Sequence, residues 1–103
     1  MSARDEEHKM LVRCVAMARE GAPLPQDQRE ANVCRVAAMV IRSNFPKEAK
    51  SLMQASESYF SQYPHDQLST AQVIRNGWVI DLSRLRARLT RQLQVSSIQG
   101  GCK

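Results

Sequence analysis

Ile74, Trp78, Leu82, Leu85, Leu89 and Leu93 follow one another at steps of 4, 4, 3, 4 and 4. Among regular structures only an α-helix brings residues at those steps onto one side. The last third of the chain is therefore predicted to be one amphipathic helix from Thr70 to about Gln94. Ser69-Thr70-Ala71-Gln72 marks its start as a capping box, with Ser69 at the cap and Gln72 three residues on. At 1.5 Å per residue such a helix is about 37 Å long, more than a globule of this size covers. The excess predicts a second copy packed along the stripe. One feature competes with this reading. Asn76-Gly77 is a turn dipeptide, Trp78-Val79-Ile80 has strand-like composition, and Asp81 is placed to cap a new helix. The continuous helix is the expectation, because an isolated glycine costs a helix only about 1 kcal/mol.

Three earlier helices are read from the same periodicity. The first is expected from Ser2 to Glu20, with Met10, Leu11, Cys14, Val15 and Ala18 on one face and Gly21 as its stop. Pro23 and Pro25 forbid its continuation. The second is expected from Pro25 or Gln26 to about Ser43. Val33, Val36, Ala37, Val40 and Ile41 form its stripe, and Cys34, Ala38 and Met39 widen it until the helix is apolar most of the way round. Such a helix belongs at the centre of a bundle. Asn44-Phe45-Pro46 breaks the chain again, and Pro46 suits the first turn of a third helix reaching Gln62 or Tyr63. Ala49, Leu52, Met53, Ser56, Phe60 and Tyr63 lie along its predicted inner side. The expected fold is all-α: about four helices with a long C-terminal one, a helical bundle completed by dimerisation. Residues 1–103 form a single domain in this reading, with 95–103 a flexible tail.

The formal charge of +5 is unevenly placed. Residues 1–74 hold nine Lys and Arg against nine Asp and Glu, so the surplus lies wholly in residues 75–103. Such asymmetry points to an acidic partner or to nucleic acid for that segment. Cys14, Cys34 and Cys102 are an odd set without a C-x-x-C, which fits reduced cytoplasmic thiols better than a disulfide framework. Cys14 and Cys34 fall in apolar runs and are expected in the core, and Cys102 on the loose tail. Met17, Met39 and Met53 are expected in the core as well. The opening MSARDEEHK is polar and acidic where a signal peptide is basic and then apolar. No apolar run approaches the ~20 residues of a membrane span.

Little in the chain suggests catalysis. His8 and His65 are the only histidines, and neither has a cysteine or carboxylate at metal-ligand spacing. Both read as surface or turn residues. No G-x-S-x-G, phosphate-cradling glycine loop or H-E-x-x-H occurs. The acidic run Asp5-Glu6-Glu7 is explained by favourable charge at a helix N-terminus. No enzyme, cofactor or metal site is expected.

Binding remains. Arg84, Arg88 and Arg91 share one predicted helix face, and Arg86 sits elsewhere on the circumference. A small DNA-binding regulator using the Arg84–Arg91 helix is one reading. Against it, Asp81 and Ser83 fall where a helix-turn-helix should pack inward, and stacking aromatics are missing. Protein–protein interaction is the favoured class. Ile74, Trp78 and Leu82 form the expected partner-binding surface, since large aromatics anchor interfaces. Arg84, Arg88 and Arg91 would steer the encounter. Leu85, Leu89 and Leu93 are the expected seam of a homodimer.

In outline the chain resembles the small helical antiactivators of bacterial quorum sensing. The resemblance is carried by the central apolar helix ANVCRVAAMVIRSNFP, the amphipathic KEAKSLMQASESYF, and the leucine-striped helix after them. It implies a dimeric, non-catalytic helical protein that binds a LuxR-type transcription factor and blocks its dimerisation or DNA contact. No family motif matches residue by residue, so no functional residue is carried over. Small secretion chaperones and toxin-neutralising proteins share the outline.

Overall fold

The C-terminal stripe is not one helix. The computed structural model describes the backbone of residues 3–20 and 24–101, and side chains within 7–19 and 24–94. In it the chain forms α1 (Ala3–Glu20), α2 (Gln28–Ile41), α3 (Pro46–Gln62), a 3-10 turn (Pro64–Asp66), α4 (Thr70–Arg75) and α5 (Leu82–Gly101). No strand occurs among the described residues. The fold class is all-α, as the periodicity indicated.

Local chemistry sets these boundaries. The Asp27 carboxylate accepts the Glu30 N–H at 2.9 Å and starts α2. Pro46 occupies the first turn of α3, where its missing N–H costs nothing. Ser69 and Gln72 make the predicted capping box at α4.

The break after α4 is the main departure from the expected helix. Gly77 adopts φ +80°, its N–H donates to the Ile74 carbonyl at 2.9 Å, and the Trp78 N–H donates to the Val73 carbonyl at 3.2 Å. That pair of bonds is the Schellman closure, which satisfies the last helical carbonyls and favours glycine at the left-handed position. The Asp81 carboxylate then accepts the Arg84 N–H at 2.7 Å and caps α5. Stop and start signals together outweigh the helical propensity between them, and Val79 gains a fully buried place in the core. Nothing stands within 4 Å of a side chain added at Gly77, so Gly77→Ala tests conformation alone. The expected loss is about 1–2 kcal/mol, measured by urea unfolding.

α2 is the hub, packing on α1, α3, α4 and α5, while α1 also packs on α3 and α5. Cys14, Cys34, Val36, Ala37, Ile41 and Leu52 fill the centre. The Cys34 thiol lies 3.7 Å from the Met17 sulfur. The Cys14 thiol is pushed well above its usual pKa, first by its hydrogen bond with Cys34 and then by burial. Both cysteines are buried and pack as small apolar residues. Asn32, fully buried, ties α2 to the turn that follows α3. Its amide donates to the Gln28 and Asp66 carbonyls at 2.8 and 3.0 Å and accepts the Leu68 N–H at 2.9 Å.

Several expectations need correction. Leu85, Leu89 and Leu93, the expected dimer seam, are 3, 1 and 1 % exposed in the single chain. Breaking the stripe at Gly77 lets α5 fold back on α1 and α2, so those leucines close the chain's own core. The Cα radius of gyration, 13.1 Å, is that of a self-contained globule of about 100 residues. Met17 is buried and Met53 half-buried, but Met39 is 49 % exposed. Tyr63 ends α3 and is exposed rather than inward. α5 continues as helix to Gly101, past the point where a loose tail was expected. Gly21 and Cys102 lie outside the described residues.

Candidate protein-docking site

Residues 76–81, which join α4 to α5, are held against α1 by a buried carboxylate. Glu7, on α1, is only 5 % exposed. Its carboxylate accepts the Ile80 N–H at 3.3 Å and the Arg84 Nε–H at 3.1 Å, and it pairs with the Arg88 guanidinium. Arg88 also approaches the His8 ring at 3.4 Å. One buried anion thus holds the link and the first turns of α5 against α1. A buried carboxylate is tolerable only when paired and hydrogen-bonded in this way. A second buried carboxylate, Glu30, does the same between α1 and α2. It accepts two bonds from the Arg13 guanidinium, one of them 3.0 Å long, and the Gln26 N–H at 3.1 Å.

The expected partner-binding residues separate into two groups on this frame. Ile74, Trp78 and Leu82 are half-buried, with one side against the core and the rest reaching solvent. The Arg29 guanidinium lies 5.9 Å over the Trp78 ring, a cation–π arrangement that covers part of it. Ile80, two residues on, is 42 % exposed although its N–H is pinned by Glu7. Arg84 and Arg88 are spent on Glu7, so they are structural cations, and their acidic complement is internal. Arg91 is exposed.

Sequence reasoning missed Glu7, Arg29 and Ile80. Glu7 pairs with residues 77 and 81 positions away, and its place in an acidic run has a local explanation that hides a long-range one. Arg84 and Arg88 at helical spacing were read as a face for an acidic partner or nucleic acid, whereas the anion they meet is Glu7 of the same chain.

Among the described residues no group of three or more His, Cys, Asp or Glu side chains gathers closely enough to hold a metal ion. No helix among them is long and apolar enough to cross a membrane. No known protein family, characterised protein or solved structure matches the chain.

Proposed function

We propose that this chain is a non-catalytic regulatory protein that acts by docking on another protein through the link between α4 and α5. The observation that carries the reading is the exposed Ile80 beside half-exposed Trp78, on a non-helical segment held rigid by Glu7 and the Gly77 closure. Apolar side chains on a preorganised link lose little entropy when a partner covers them. Trp78 and Ile80 supply the buried anchor, and Ile74 and Leu82 extend it on either side. The outline shared with quorum-sensing antiactivators names the specific partner class: a LuxR-type transcription factor, whose own dimerisation or DNA contact the docked chain occludes.

Direct DNA binding is the competing reading, and the Glu7 pairing weighs against it. Two of the four arginines between residues 84 and 91 already have an anion, which lowers the number of phosphates that segment can neutralise.

The test is a binding titration against a purified LuxR-type receptor, run beside a gel shift with random duplex DNA at low salt. The docking reading expects receptor binding by the wild-type chain and at least about tenfold weaker binding by Trp78→Ala, consistent with loss of an interface aromatic. Circular dichroism should show Trp78→Ala still helical. A DNA shift that fades steeply with salt, without receptor binding, would replace it with the nucleic-acid reading.

A further inference from the structure

A groove of about 340 Å³ opens between α2 and α3 on a face that shares no residue with the link. Its floor is Ala38, Ala49 and Met53, and its rim carries Arg42, Lys50 and Glu57. All three rim charges are exposed, and among the described residues none has an ion pair or hydrogen bond. Lys50 and Glu57 stand on one side of α3, two turns and about 10 Å apart, too far to pair with each other. The groove is therefore bipolar. Arg42 and Lys50 mark the end near the α2–α3 connection, and Glu57 marks the other. Met39, next to Ala38 and one turn before Arg42, adds exposed apolar surface alongside.

A groove with cations at one end and a carboxylate at the other is complementary to its own copy turned end for end. We infer that a second copy of this chain docks here, α3 antiparallel to α3, about a two-fold axis between Met53 and Gln54. Those residues lie midway between Lys50 and Glu57, so the axis sets each Lys50 opposite the other copy's Glu57. Arg42 stands at the same end as Lys50 and adds to the attraction. An isologous interface of this kind makes every contact twice, which doubles the effect of each charge. The small side chains of the floor leave room for Met53 of each copy to enter the other's groove. This interface does not depend on the proposed docking role of Trp78 and Ile80.

Sedimentation velocity on the full-length chain, from micromolar to sub-millimolar concentration, tests it. The wild type should show a concentration-dependent dimer that weakens as salt is added. Lys50→Glu and Glu57→Lys each set like charges together at both ends and should each raise the dissociation constant about tenfold or more. Both positions are exposed on α3, so circular dichroism should remain that of the wild type. The double variant Lys50→Glu/Glu57→Lys reverses the polarity and should restore the dimer to near wild-type strength. A wild type that stays monomeric throughout would overturn the inference. So would a dimer that the single reversals leave intact, or one that the double reversal fails to restore.

Discussion

Leu89→Ala is expected to lower the unfolding free energy by about 2–5 kcal/mol, the range for truncating a leucine in a closed core. Leu89 is 1 % exposed within one chain, so the loss should be the same at concentrations low enough to keep the chain monomeric. The reasoning is local. Leu85, Leu89 and Leu93 point into the space bounded by α1 and α2, and a cavity left there has no second chain to fill it. For a domain of this size each kcal/mol moves the melting temperature by about 4–8 °C, so the variant should melt at least 8 °C below the wild type. Urea unfolding at two concentrations checks both the size of the loss and its independence of association. A loss that appeared only where the chain associates would return these leucines to an intermolecular seam.

Glu7→Gln is the second large effect. The buried carboxylate neutralises Arg84 and Arg88 and accepts the Ile80 N–H. Removing one member of a buried ionic group costs about 3–5 kcal/mol when the remaining charge stays buried. Here Arg84 and Arg88 keep side-chain exposures of 39 and 27 %, so both can rehydrate, and the expected loss is near the lower end, about 3 kcal/mol. Unfolding in urea measures the total. Hydrogen exchange then localises it: the Ile80 amide and the first turn of α5 should lose protection while α2 and α3 keep theirs. Glu30→Gln gives the contrasting pattern, because it loosens Arg13 and the start of α2 and leaves the link in place.

These effects also show where the sequence was readable. The starts of α3 and α4 were legible in Pro46 and Ser69, each a local signal acting within one turn, whereas α2 begins at Gln28 behind the Asp27 cap rather than at the expected Pro25 or Gln26. Cys14, Cys34, Val36 and Ile41 are buried because their spacing leaves them no other face. The link was harder. Asn76-Gly77 and Asp81 were visible as stop and start signals, but the regular stripe across them favoured one helix. The structure resolves the competition for the local signals, and tertiary contacts add to them: Val79 has a core site to fill, and the Ile80 N–H has an acceptor on α1. The length argument for a dimer seam failed with that helix, since a stripe broken in the middle can fold back on its own chain. Met39 reads as part of an all-round apolar helix, yet it is 49 % exposed.

The proposal amounts to a division of labour: the leucines of α5 hold the chain together, and the link before them is the proposed docking surface. One titration compares the two directly. Ile80→Asp and Leu89→Ala are each titrated against the same LuxR-type receptor, with affinity expressed per folded molecule. The account predicts that Ile80→Asp melts like the wild type and loses receptor binding, and that Leu89→Ala melts early yet binds normally once folded. Full binding by Ile80→Asp, or binding lost by folded Leu89→Ala, would contradict it.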